Sequence, residues 1–326
     1  MTEFTFITIN DIHISDNGPR SRLDDFKSTV LGKLAQVRAA CSKLNADALL
    51  IAGDLYNLKN PSKNSHRLNQ ELIKEFKQFS CPIYMVEGNH DLWANKVESL
   101  TEQPLGVLFA DKTLIQLREE IISKNEKKIS LVGIPYTENI DLSAIKLPEK
   151  GDCVSQICVM HIYAGLTTGM LFKERLYGYD ELEKLNADIY VLGHYHVDQG
   201  IYNNNGKHFL NIGSLTRGVL SEENIDHHPQ MGYIRIEIDD NNKISYNIRT
   251  IKLKIKPASE IFDLSKREEE QQESLEIQHF VEKLASEAVK SSNPSDSIDD
   301  IINKMDIAKI VKEKAMRFIQ EAAALK

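Results

Sequence analysis

Short apolar runs recur along the chain, and each gives way to a polar cluster rich in Asp, Asn, His and Gly. Residues 4–9 are aromatic and β-branched, which reads as a strand, and they lead into Asp11-Ile12-His13. Residues 48–52, an unbroken apolar stretch, read as a buried strand ending in Gly53-Asp54. Residues 82–86 end in Gly88-Asn89-His90-Asp91, residues 154–160 end at His161, and residues 188–192 end in Gly193-His194-Tyr195-His196. Residues 129–134 read as a further strand. Helical spacing fills the gaps. Phe26, Val30, Leu34 and Val37 share one face over residues 24–45, Leu68, Leu72 and Phe76 share one over 62–79, and a short helix is expected over 178–186.

Strands alternating with helices predict an α/β layered architecture. In such sheets, sites form beyond the carboxyl ends of the strands, and here five separate strands deliver Asp, Asn or His at that end. After residue 197 the pattern changes to two hairpins, over 200–210 and 233–251, which fit a second sheet packed on the first. Pro257 marks a boundary. It divides a main domain of residues 1–255 from a helical extension of residues 256–326. In that extension Ile277, Phe280, Val281, Leu284 and Ala288 form one apolar stripe. Asp296 or Ser297 caps a short middle helix, and a last helix carries Ile307, Ile310, Val311, Ala315, Phe318, Ala322 and Leu325. Lys304, Lys309, Lys312, Lys314 and Arg317 give the last helix a basic side.

The 326 residues are 41% hydrophobic and 27% charged, which excludes collagen-like, mucin-like and disordered chains and leaves enough apolar surface for a core. The net charge of -8 argues against coating nucleic acid through bulk charge, but it leaves room for metal ions that neutralise phosphate. No apolar run approaches the roughly 18 residues of a membrane span, and the first residues lack a secretory leader. The four cysteines form no CxxC pair, as expected of thiols in a reducing cytoplasm.

Asp11, His13, Asp54, Asn89, His161, His194 and His196 are all oxygen or imidazole donors, which suit Mn, Fe, Zn or similar divalent ions. Seven donors are too many for one open ion and suit two ions about 3.5–4 Å apart with one bridging carboxylate. Asp54 is the natural bridge, because Gly53 lets the backbone approach closely. Two ions so spaced activate water at neutral pH and clamp the oxygens of an in-line displacement at phosphorus. His90 is then free to protonate a leaving oxygen, with Asp91 expected to hold its imidazole in the right tautomer.

Taken in order, Asp11-Ile12-His13, Gly53-Asp54, Gly88-Asn89-His90-Asp91, His161 and Gly193-His194-Tyr195-His196 resemble the five motifs of calcineurin-like metallophosphoesterases, over residues 4 to about 255. The resemblance implies a four-layer αββα sandwich. It implies a first ion on Asp11, His13, Asp54 and His196 and a second on Asp54, Asn89, His161 and His194. Within that family the likeness is strongest to SbcD-type DNA exonuclease subunits, including phage-encoded forms. It rests on Asp11-Ile12-His13-Ile14-Ser15, residues 19–25, residues 193–199 and Gly213-Ser214-Leu215-Thr216-Arg217. That likeness implies a manganese-dependent exonuclease with some endonuclease activity, with Mg, Fe or Zn as other ions. It also implies an SbcC-like ATPase as partner. In one departure, Asn57 stands where several such nucleases have a histidine.

Arg20, Arg22 and Arg217 are expected on loops near the metal face, meeting DNA phosphates. The helices at 24–45 and 62–79 offer a surface for a homodimer. The C-terminal helices fold back on the sandwich, cap DNA or bind a partner. Two rival readings stand beside the nuclease. One is a small-molecule or cyclic-nucleotide phosphodiesterase, and the other is a DNA-end-binding scaffold.

Overall fold

The structure, a computed structural model, describes residues 1–171 and 174–265. Its elements run β1 (Thr2–Ile9), α1 (Phe26–Lys43), β2 (Ala48–Ile51), α2 (His66–Phe76), β3 (Ile83–Met85), α3 (Pro104–Ala110), β4 (Ile115–Gln116), β5 (Glu119–Lys124), β6 (Lys127–Ile134) and β7 (Ser155–Ile162). They continue with β8 (Ala164–Gly165), β9 (Gly169–Leu171), β10 (Glu174–Gly178), α4 (Tyr179–Leu182), β11 (Ile189–His194), β12 (Asp198–Asn204), β13 (Lys207–Ile212), α5 (Glu222–Asp226), β14 (Gln230–Ile238), β15 (Ile244–Lys252) and α6 (Ala258–Ile261). The helix expected over 62–79 starts late, because Ser65 accepts a hydrogen bond from the Leu68 N–H and so caps α2.

Two six-stranded mixed sheets form the frame, in the orders β15-β14-β1-β2-β3-β4 and β12-β13-β11-β7-β6-β5. Side-chain alternation sorts the apolar residues into three cores. Ile7, Ile9, Leu49 and Ile51 point from the first sheet toward Val30, Leu34 and Val37 of α1 and Leu68 and Leu72 of α2. Their strand neighbours Phe4, Phe6, Ala48 and Leu50 point the other way and meet Ile157, Val159, Ile189 and Val191 of the second sheet. On the far face of that sheet Cys158, Met160, Tyr190, Leu192 and Phe209 pack on Tyr179 and Leu182 of α4. The result is helix, sheet, sheet, helix, the α/β sandwich of a metallophosphoesterase. Strands buried on both faces explain why residues 48–52 read as one continuous apolar run.

The two predicted hairpins do not share a sheet. The β12–β13 hairpin extends the second sheet beside β11, whereas β14–β15 closes the first sheet through antiparallel pairing with β1. The reason is register. Phe4 lies opposite Ile236 and Phe6 opposite Ile234, so both strands point the same alternating set into the inter-sheet core. The strands at 129–134, 154–160 and 188–192 likewise belong to the second sheet. β4, β5 and β8 to β10 had no clear signal in the sequence, being short or exposed.

The first compact unit runs Met1–Phe262 and a second begins at Asp263, later than the expected boundary after residue 255. Residues past Pro257 are bound into the first unit. The Leu23 N–H donates to the Ile261 carbonyl at 3.0 Å, and Phe262 is buried. The stripes read over residues 277–325 and the basic side of the last helix lie outside the described residues. No helix among the described residues is long and apolar enough to cross a membrane.

Leu50 is fully buried between the sheets. Leu50→Ala is expected to cost about 2–5 kcal/mol of folding stability, read from the shift in urea midpoint. A shift worth under about 1 kcal/mol would contradict this packing.

Candidate metal centre

β1, β2 and β3 run parallel in one sheet, and β7 and β11 run parallel in the other. Their carboxyl ends therefore deliver polar residues to shared rims. The loops after β1 and β2 are tied together, with the Asp11 N–H donating to the Gly53 carbonyl at 3.2 Å and the His13 N–H to the Asp54 carbonyl at 3.0 Å. Asp11, His13 and Asp54 take positive φ values of 50°, 47° and 53°. Non-glycine residues avoid this left-handed region, and three together mark a site where the fold holds the backbone against its preference. Gly53 is forced by space as well as by its φ of 90°, since a Cβ there would stand 2.1 Å from His161 Nδ1.

The donors fall into two groups with one shared member. Asp11, His13, Asp54 and His196 bring ligand atoms together within 4.8 Å of one another, and so do Asp54, His161 and His194. Asn89 joins the second group, its Oδ1 being 3.1 Å from His161 Nε2. Asp54 is the common carboxylate. Its Oδ1 accepts from the His90 N–H at 2.8 Å, while its Oδ2 lies 3.5 Å from both His13 Nε2 and His161 Nε2 and has no hydrogen-bond partner.

These contacts fit a pair of cations. His161 Nδ1 donates to the Ala52 carbonyl at 2.7 Å, which leaves Nε2 of the neutral ring as an acceptor facing the Asn89 oxygen. Two acceptors face to face are a mismatch that a cation on both would relieve. His13 Nε2 and His196 Nε2 are 2.9 Å apart. Two nitrogens about 2.1 Å from one ion at a right angle stand about 3.0 Å apart. The local field also calls for positive charge. Burial opposes ionisation of Asp54, yet His161, then His13 and His90, hold its carboxyl well below the usual carboxylate range. Burial likewise opposes charge on His161, but Asp54 outweighs it and raises the ring to about 9. His13 lies well below its ordinary value, chiefly through burial.

Two assignments of role change in the structure. Asp91 does not touch the His90 ring. It is buried and accepts the backbone N–H groups of Leu55, Tyr56 and Gly88 at 3.3, 3.1 and 3.0 Å, pinning the loop after β2 to the loop after β3. Burial, then the Asp54 charge, pushes it up to about 7. His90 is held instead by the Asn57 carbonyl, 2.8 Å from its Nδ1, so its Nε2 is the nitrogen left for chemistry. The backbone of Asn57 thus does positioning work at the place where several SbcD-type nucleases carry a histidine.

The arginines depart further from expectation. Arg20 is exposed, but the Arg22 side chain is 2% exposed, pairs with Asp24 through two 2.8 Å hydrogen bonds, and donates to the Arg217 carbonyl. Arg217 is 3% exposed and donates to the Lys256 carbonyl. Neither guanidinium stands open on the metal face, because Phe26 and Phe262 cover Arg22 and the chain past β15 covers Arg217. His227 and His228 act as clamps, bonding the carbonyls of Ser214 and Leu253.

Sequence reasoning missed Glu174, whose Oε2 lies 3.0 Å from His194 Nε2. A carboxylate on the second nitrogen of a ligand histidine fixes the ring and raises its basicity. Burial disfavours charge on Glu174, but hydrogen bonds from His194 and Tyr136 keep its carboxyl below the usual range. Nothing in the sequence marks Glu174, which lies on a short, irregular strand. Tyr136 follows the carboxyl end of β6, so the strand-end rule that found the ligands could have found it too. The donors open onto a cleft of about 760 Å³, walled opposite by Tyr163, Tyr195 and Val219.

This geometry defines a class, an αββα sandwich with a candidate dinuclear metal site at the carboxyl ends of its strands. A family model described as calcineurin-like phosphoesterase matches residues 4–198, and the chain belongs to that family of metal-dependent phosphoester hydrolases. It is 22% identical over 258 residues to the DNA double-strand break repair protein Mre11 of Saccharolobus solfataricus, covering 76% of this chain and 64% of that one. It is 39% identical over 59 residues to the smaller stretch it matches in an SbcCD nuclease protein of Staphylococcus epidermidis, covering 18% of this chain and 16% of that one. The chain thus spans less than two thirds of either relative. A solved structure from Staphylococcus aureus, described as a candidate 5'-nucleotidase in complex with alpha-ketoglutarate, shares the fold at TM-score 0.53 and 13% identity, covering 84% of this chain and 58% of that one.

Asp54→Asn is expected to abolish tight binding at both metal positions together, because the residue belongs to both donor groups. Glu174→Gln is expected to weaken metal affinity about 10–100-fold without removing a ligand. Calorimetric titration of the metal-stripped protein with Mn distinguishes the two. Retention of one full-affinity site in Asp54→Asn would refute the bridge.

Proposed function

We propose that the chain is a two-metal phosphodiesterase acting on DNA, an exonuclease with some endonuclease activity, using manganese. We further propose that it works as a dimer with an SbcC-like ATPase in the processing of DNA ends during repair, recombination or replication. The observation that carries the phosphodiesterase reading is the unbonded Asp54 Oδ2 between His13 and His161, beside a His90 ring with one nitrogen uncommitted. The choice of DNA rests on the relatives named Mre11 and SbcCD nuclease.

Asp11, His13, Asp54 and His196 would hold one ion, and Asp54, Asn89, His161 and His194 the other. When bound, the ions supply Lewis acidity, lowering the pKa of water and balancing charge at phosphorus. The chain's own groups do the rest. Asn57 and Ala52 fix the tautomers of His90 and His161 through their carbonyls. A protonated His90 carries its second proton at Nε2, toward the cleft, where it can pass to the departing sugar oxygen. Asp91 holds the loops that set His90 and Asp54 in place.

One observation favours the small-molecule reading. The described lining of the cleft includes Glu174, Asp198 and Glu223 but no Lys or Arg. End-labelled duplex DNA, single-stranded DNA, cyclic nucleotides and a chromogenic phosphodiester, each assayed with Mn and with Mg, separate the two. Turnover of the small esters alone would overturn the DNA assignment. His90→Ala is expected to keep both ions while nuclease turnover falls about 10²–10⁴-fold. An unchanged rate at full metal content would remove His90 from the mechanism.

A further inference from the structure

Away from the metal donors lies a second pocket, of about 290 Å³, whose character is opposite to that of the cleft. Arg22 before α1, Lys33 on α1, Arg217 after β13, and Lys254 and Lys256 after β15 all line it. We propose that this pocket is a binding site for a phosphoryl group, separate from the metal centre.

The reasoning starts from partners. Arg22 has a carboxylate, because Asp24 meets it at both oxygens. Among the described residues no carboxylate bonds to Lys33 or Arg217, although they are 4% and 3% exposed. Lys33 Nζ donates to the Leu215 carbonyl at 2.9 Å, and Arg217 gives one nitrogen to the Lys256 carbonyl. Arg217 Nε is buried with no hydrogen-bond partner at all. Buried cations held only by neutral carbonyls are costly, since desolvation is not repaid by an opposite charge. Burial, then Arg22 and Arg217, drives Lys33 down to about 7, in keeping with a local excess of positive charge.

An anion would complete the set. A carboxylate offers two oxygens in one plane. A phosphoryl group offers three strong acceptors at tetrahedral angles, which suits two guanidinium groups and an ammonium reaching in from separate elements. The volume lies at the small end of ligand pockets, enough for a phosphate with part of its sugar. Lys254 and Lys256 are exposed at the rim, where they would meet the rest of the ligand. The phosphoryl group can come from a nucleic-acid strand or from a free nucleotide or phosphate, and the shared chemistry is the same.

The test is calorimetry on the full chain carrying Asp54→Asn, which disables the metal centre as a competing phosphate site. The probes are inorganic phosphate, adenosine monophosphate and a 5'-phosphorylated single-stranded oligonucleotide. Binding is expected to persist in that background and to fall at least about 10-fold, or roughly 1.4 kcal/mol, on adding Lys33→Met. Because a buried substitution can harm folding, the paired rim change Lys254→Glu with Lys256→Glu provides a second measure. It is expected to weaken binding similarly, while leaving hydrolysis of a chromogenic phosphodiester by the otherwise wild-type enzyme unchanged. Tighter binding of the oligonucleotide assigns the pocket to a strand, and tighter binding of the small anions assigns it to a free ligand. Absence of phosphate binding in the Asp54→Asn background, or undiminished affinity in the rim variant, would overturn the proposal.

Discussion

A buried carboxylate oxygen with no hydrogen bond is among the more expensive things a fold can contain. Asp54 Oδ2 is such an atom, and the loops around it are arranged to keep it so. Its partner oxygen is occupied by the His90 N–H, and the nearest groups on the open side are ring nitrogens from two different strands' ends. Cβ atoms are kept away as well. A side chain at Gly88 would reach 2.0 Å from Asp54 Oδ1, and one at Gly193 would reach 2.0 Å from the Ala52 carbonyl that orients His161. The glycines of the motifs are therefore part of the centre, clearing the volume that the donors surround.

The same constraint accounts for the double sheet. One sheet supplies Asp11, Asp54 and Asn89, and the other supplies His161 and His194. Neither could bring carboxylates and imidazoles together alone. The inter-sheet core of Phe4, Phe6, Leu50, Val159 and Val191 sets the spacing between the rims. Packing at crystal-like density in that layer makes the spacing stiff, so strain at three positive-φ residues can be held in place rather than relaxed.

Much of this was legible in the sequence because it depends on local rules. Apolar runs buried on both faces, polar residues at their carboxyl ends and glycine beside the ligands are all features of short stretches. The grouping of β14–β15 with β1 was not legible, because partner choice among strands depends on register over more than two hundred positions of chain. The roles of Asp91 and Asn57 were misread for a related reason. The motif gives residue types in order, whereas the partner of the His90 ring is a backbone carbonyl, which no residue type reveals. Arg22 and Arg217 show the reverse error, since a charged loop residue was assumed to face solvent when Phe26, Phe262 and the chain after β15 enclose it. Glu174 carried no signal because its contact with His194 is made only by the fold.

Electrostatics connects the centre to its substrate. The chain is acidic overall, and the described cleft lining has carboxylates but no Lys or Arg. A phosphodiester approaching that surface without ions meets Asp54, Glu174, Asp198 and Glu223 and is repelled. The donor groups hold imidazoles and carboxylates ready for cations, and bound divalent charge inverts the sign of the local field. Metal loading in this fold is therefore coupled to substrate affinity as well as to the chemical step. The buried cations of the second pocket lie away from that surface and cannot substitute for that charge, since Asp24 and the carbonyls of Leu215, Arg217 and Lys256 already direct them elsewhere.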